Sequence, residues 1–204
     1  MGWMKLGKSD WRYLYQPFDT DDIKALIPWI ESDDSNKKQT KIVSAGAAAN
    51  KDYQGMVKSG YLQADLSNVP TNVPVYVIAH GDQGLDFIGD QSHSHKMTAD
   101  QLAEKMASLK KDHKVIKLFL CNVGIDLLSG QQGFGYKFWS AMHGKQYDKL
   151  WVVCYLGITA NPGLYGKHKQ VSQGEKWSTA SEKRIFIAPD GKIYQPGDKV
   201  PDLA

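Results

Sequence analysis

Short apolar runs alternate along the chain with segments whose apolar residues recur at helical spacing. Val73–Ala79 (VPVYVIA), Val115–Leu120 (VIKLFL) and Leu150–Leu156 (LWVVCYL) are rich in β-branched and aromatic residues and read as buried strands. Lys41–Ala45 (KIVSA) reads as a shorter one, and Pro74 falls where a strand start tolerates a missing donor. Between the runs, Leu102, Met106 and Leu109 lie on one face of a predicted helix capped by Thr98, and Gly133–Met142 (GFGYKFWSAM) has the spacing of another. An earlier helix starts at Asp19 or Thr20 and runs through Ile23, Leu26, Ile27 and Ile30, with Pro28 kinking or shortening it. Ser32–Gln39 is a polar loop. Arg184–Ala188 and Lys192–Tyr194 flank Asp190-Gly191 as a hairpin.

Strands that alternate with helices give an α/β domain with a mostly parallel central sheet and a C-terminal β-hairpin. Residues 1–204 form one domain, within which 1–39 are an arm and a helix packed on the rest. The arm is aromatic (Trp3, Trp11, Tyr13, Tyr15, Phe18) but shows no clear periodicity. A chain of this length buries roughly two-thirds of the surface it exposes when unfolded.

Composition narrows the function classes. Hydrophobic content of 42% with 23% charged residues is that of a soluble globular protein. The net charge of +3 is small, and the lysines at 110, 111, 114 and 117 and at 167 and 169 are scattered, so no basic stripe marks a nucleic-acid partner. No stretch is apolar for long enough to span a bilayer, and the N-terminus lacks the apolar core of a signal peptide. The expected location is cytoplasmic, or exported without a cleaved signal. Two cysteines, Cys121 and Cys154, make no disulfide framework.

The chemistry lies in where two residues fall. His80 directly follows one predicted strand, Cys121 directly follows the next, and one helix lies between them. A strand–helix–strand unit keeps both strands parallel, so their carboxyl ends open at the same edge, where α/β sheets bind ligands. Neighbouring strands lie about 4.8 Å apart, which brings an imidazole and a thiol within reach of one substrate. Together they make a nucleophile and its proton-transfer partner. Gly81 lets backbone approach a substrate carbonyl, and the N–H groups of Gly81 and Cys121 are candidate oxyanion donors.

The order VYVIAHG, then TADQLAEKM, then VIKLFLCNVG and the GFGYKFWSAM helix resembles the clan CD cysteine peptidases. These are the caspases, legumain, gingipain, clostripain and the self-processing domains of large bacterial toxins. The pattern lies nearest the toxin-type bacterial members and covers residues 73–142, more loosely 41–45 and 150–156. The resemblance implies a caspase-like three-layer sandwich and a thiol protease that hydrolyses peptide bonds through an acyl-enzyme. It makes His80 the catalytic histidine, Cys121 the nucleophile and Gly81 an oxyanion donor, with protein or peptide as substrate and no cofactor. It also implies a cleft lined by the strand of Leu150–Leu156, and Asp82, Asn122 and Tyr155 are candidate substrate-binding residues. Toxin-type relatives respond to inositol phosphates, and the lysines between Lys167 and Lys192 permit such a polyanion activator. One departure is that Phe119-Leu120 precede the cysteine, where several families carry an acidic residue or Gln and then Ala.

Other readings compete. Cys121 alone is more often a core thiol, and His80 alone an ordinary turn histidine. Cys154, inside its strand, is a packing residue. A caspase-like fold can also serve as a non-catalytic binding module. His93-x-His95, with His80, Asp82 or Asp90, could supply metal ligands for a hydrolase, although the spacing matches no strong zinc signature. Asp82, Asp86 and Asp126 are candidates to receive a basic side chain of the substrate.

Overall fold

The computed structural model describes residues 11–23, 25, 39–44, 61–63, 66–160, 170–173 and 176–201. The chain begins with three strands, β1 (Trp11–Gln16), β2 (Gln39–Ser44) and β3 (Tyr61–Gln63), with a helical turn at residues 21–23 after the first. The strand β4 (Val75–Ile78) leads to a small antiparallel pair, β5 (Phe87–Gly89) and β6 (Lys96–Thr98). Helix α1 (Ala99–Lys105), strand β7 (Val115–Phe119), the short helix α2 (Ile125–Leu128), helix α3 (Phe134–Gly144) and strand β8 (Trp151–Tyr155) follow. A three-stranded antiparallel sheet, β9 (Ile158–Ala160), β10 (Gln170–Gln173) and β11 (Lys176–Thr179), precedes the terminal hairpin of β12 (Arg184–Ile187) and β13 (Ile193–Tyr194).

The main sheet runs β13-β12-β8-β7-β4-β1-β2-β3. Its six strands from β8 to β3 are parallel, and β12 and β13 close one side in antiparallel fashion. The α/β architecture with a mostly parallel sheet and the late hairpin agree with the sequence pattern. The strand order reverses between β1 and β4. From β1 the chain adds β2 and β3 on one side, then returns to place β4, β7 and β8 on the other. A crevice at such a reversal, outside the carboxyl ends, is where open parallel sheets hold ligands.

Alternate residues of the strands face two separate cores. Val75, Val77, Ile116, Leu118, Val152 and Cys154 bury with Leu102 and Met106 beside α1 and with Phe138 and Met142 of α3. Val115, Trp151 and Val153 face the opposite side with Ala188 and Val200, and Phe119 packs there with Tyr155 and Ala180. With both faces covered, the central strands read as unbroken apolar runs rather than alternating ones. The first helix keeps its expected start: the Thr98 hydroxyl accepts from the Gln101 N–H at 3.3 Å, and the Gln101 side chain accepts from the Thr98 N–H at 2.9 Å. It closes at Lys105, earlier than the spacing of Leu109 predicts, and tight turns carry Met106 and Leu109 into the core.

The N-terminal segment corrects the sequence reading most. Residues 11–16 are an inner strand of the sheet, paired with β4 on one side and β2 on the other, rather than an arm laid on the domain. Tyr13, Leu14, Tyr15 and Gln16 are all buried, and a strand covered on both faces has no alternation to reveal it. Strands β3, β5, β6, β9, β10 and β11 also had no counterpart in the apolar pattern, being three or four residues long. Residues 1–10, the apolar residues expected at 26, 27 and 30, the loop at 32–38 and the basic cluster at 167–169 lie outside the described residues.

Candidate active site

The register of the two central strands sets the site. Ile78 pairs with Phe119, so His80 and Cys121 each stand two residues beyond a matched rung of adjacent parallel strands. Ala79 and Leu120, which precede them, both bury in the core shared with α1 and α3. The residue after each therefore turns to the same side. The two chains stay in touch past the strand ends. A Cβ placed on Gly81 would lie 3.0 Å from Val123 Cγ1, 3.2 Å from the Cys121 carbonyl oxygen and 3.3 Å from Leu120 Cβ. A side chain there would have to push these neighbours by a few tenths of an ångström, so the close approach and not an unusual φ favours glycine.

His80 is fixed at its backbone, and its ring stands beside a carboxylate. Its N–H donates to the Gly89 carbonyl at 2.9 Å and its carbonyl accepts from the Gly89 N–H at 3.0 Å, an isolated bridge to β5. Its Nε2 stands 3.3 Å from Asp22 Oδ2, without the alignment of a hydrogen bond. The same carboxylate oxygen accepts from the Gln91 N–H at 2.7 Å. Burial resists ionisation of Asp22, but the Thr20 side chain, then the Gln91 N–H and nearby backbone N–H groups, outweigh it and hold the carboxyl below its ordinary range. With Nε2 turned to the carboxylate, Nδ1 is the ring nitrogen left for another partner.

Asp22, absent from the sequence-based candidates, comes from the helical turn after β1. The three side chains thus stand beyond the carboxyl ends of β1, β4 and β7, at the point where the strand order reverses. The signal available in the sequence was an aromatic β-favouring run, Trp11–Gln16, followed by Pro17 and a helix start.

Cys121 is half-buried, and its Sγ lies 3.7 Å from the Thr159 hydroxyl on β9. Outside the strand ladders, the described residues contain no backbone hydrogen bond donated by the N–H of Gly81 or of Cys121. Cys154 is different: it is fully buried, its thiol is pushed up to about 12 by burial, and a Cβ at Gly135 would come within 2.4 Å of its Sγ. It is a packing residue.

The remaining candidates divide. Asp82 and Asn122 meet each other, Asn122 Nδ2 donating to Asp82 Oδ1 at 2.9 Å. Asp126 is 4% exposed and its Oδ2 accepts from the Gly84 N–H at 3.1 Å, which joins the loop after β4 to α2. Asp86 is paired with Lys137. Tyr155 presents no ring to a cleft: it is buried edge-on against Phe119, with 5.4 Å between ring centres, and burial raises its phenol. Its backbone serves the site instead, the carbonyl accepting from the Gly124 N–H at 3.0 Å.

His93 and His95 do not converge. The His93 ring meets the edge of Phe87, whereas His95 Nδ1 lies 2.7 Å from Asp90 Oδ2. That contact leads the forces that hold the Asp90 carboxyl down to about 2. Among the described residues, no three side chains of His, Cys, Asp or Glu are grouped to hold a metal ion. No helix among them is long and apolar enough to cross a membrane. Comparison with protein-family models finds no match, and comparison with curated proteins finds none either.

Proposed function

We propose that this chain is a caspase-like cysteine endopeptidase of clan CD, with Cys121 as nucleophile, His80 as proton carrier and Asp22 as the group that orients the imidazole. The observation that carries this reading is the placement of His80 and Cys121 beyond paired rungs of β4 and β7, with a carboxylate 3.3 Å from the imidazole's far nitrogen.

In this reading the thiol gives its proton to His80 and Sγ attacks the scissile carbonyl carbon. The carbonyl oxygen takes the negative charge and is met by the N–H groups of Gly81 and Cys121. Collapse breaks the C–N bond, the imidazolium hands its proton to the departing amine, and a thioester remains. Water then loses a proton to His80 as it attacks the thioester. The acid product leaves, and the proton returns to the sulfur. No cofactor enters. Protein or peptide is the substrate, and the three-layer form of the caspase-like fold belongs to the same proposal.

Incubation with a diverse peptide library, read by mass spectrometry, tests it. The native chain is expected to generate new termini, while Cys121→Ala and His80→Ala lose at least about 10³-fold in rate with unchanged melting temperature. Undiminished cleavage by Cys121→Ala would sink the proposal.

A further inference from the structure

We infer that Asp82 and Asn122 form a latch that sets the backbone of Cys121, making both of them positioning residues rather than groups that meet substrate. This rests on the reading of Cys121 as nucleophile.

Asn122, next to that cysteine, has a left-handed backbone with φ of 58°. Asn and Asp adopt this conformation at less expense than other side chains, and it turns the chain sharply out of the strand direction. Three polar groups of Asn122 are then tied down. Its N–H donates to the Gly157 carbonyl at 2.9 Å, its carbonyl accepts from the Ile125 N–H at 3.0 Å, and its amide nitrogen reaches Asp82. Asp82 is held in turn, since the Oδ1 that accepts from Asn122 also accepts from the Gln83 N–H at 2.8 Å. The latch therefore bridges the loop carrying His80 and the loop carrying Cys121. The bond from the Gly84 N–H to Asp126 fastens the same two loops farther along.

A solvent-exposed hydrogen bond contributes little to global stability. A small displacement of a nucleophile, in contrast, slows reaction by up to about a hundredfold. The latch should therefore be visible in rate and nearly silent in melting.

Exchange of the two side chains provides the test. Asn122→Asp sets two carboxylates against each other, Asp82→Asn keeps an acceptor for the amide, and Asp82→Asn with Asn122→Asp restores one donor and one acceptor in reversed order. Rates are read as kcat and KM on a peptide the native chain cleaves, and as alkylation of Cys121 by iodoacetamide at neutral pH. Asn122→Asp should lower kcat about 10- to 100-fold with KM little changed, and should slow alkylation. Asp82→Asn, which keeps the acceptor, should lose less than Asn122→Asp, and the double exchange should recover to within about threefold. A double exchange as slow as Asn122→Asp, or a loss confined to KM, would overturn the latch. His80→Ala separates the two claims by its alkylation rate. If that rate equals the native one, the dyad fails. If it is slowed while the Asn122→Asp rate is native, the latch alone fails. Where no peptide is cleaved, the alkylation series decides.

Discussion

An imidazole beside a carboxylate is oriented by whichever nitrogen faces the acid. Here Nε2 faces Asp22, and the acid itself is steadied by the Gln91 N–H at 2.7 Å. Asp22→Asn keeps the shape but removes the charge that, in the proposed mechanism, supports an imidazolium during proton transfer. It should lower kcat about 10- to 100-fold, a part of the 10²–10⁴ that positioned acid–base groups contribute, with little change in melting temperature. Steady-state kinetics on any cleaved peptide measures it. Nothing in the local sequence distinguishes Asp22 from Asp19 or Asp21, because its role depends on a strand pairing distant along the chain. His80 and Cys121 were legible for the opposite reason. Each directly follows an apolar run, and the intervening helix forces those runs parallel.

At the level of elements, the site depends on how closely two loops meet. Gly81 is the contact point, with a hypothetical Cβ only 3.0 Å from Val123 Cγ1. Gly81→Ala would push the Val123 side chain and the Cys121 carbonyl away by a few tenths of an ångström. The expected stability loss is about 1–3 kcal/mol, as for other overpacked contacts, measurable by urea unfolding. The loss in kcat should exceed what unfolding explains. The strand–helix–strand unit from β4 to β7 was readable because its runs are long and apolar. The β5–β6 pair was not, although its bridge to His80 and the Gln91 N–H hold two members of the site. Strands of three residues carry too few side chains to show a period.

Across the whole molecule, acid stability should be governed at the end of the sheet away from the site. His113 is fully buried just before β7, and its Nε2 bonds the Val115 carbonyl at 3.0 Å. Burial lowers its pKa to about 4, against the opposing effects of that bond and of Asp112. The unfolded chain takes up a proton near the ordinary value of 6.5 and the folded chain does not. The unfolded state thus binds more protons between these values, so stability falls as pH drops from about 6.5 to 4, by about 3 kcal/mol in all. Urea unfolding at pH 7, 5.5 and 4 should show this fall, and His113→Gln should flatten it.

The order of the sheet has a further consequence during synthesis. Strand β1 occupies the interior, and its partner from the other half, Val75 opposite Tyr13, emerges only after about 60 more residues, several seconds at roughly 5–20 residues per second. Until then one flank of β1 is an open edge bearing bare amides and carbonyls, the kind that recruits stray chains. The nascent polypeptide therefore carries that open edge before His80 and Cys121 have left the ribosome.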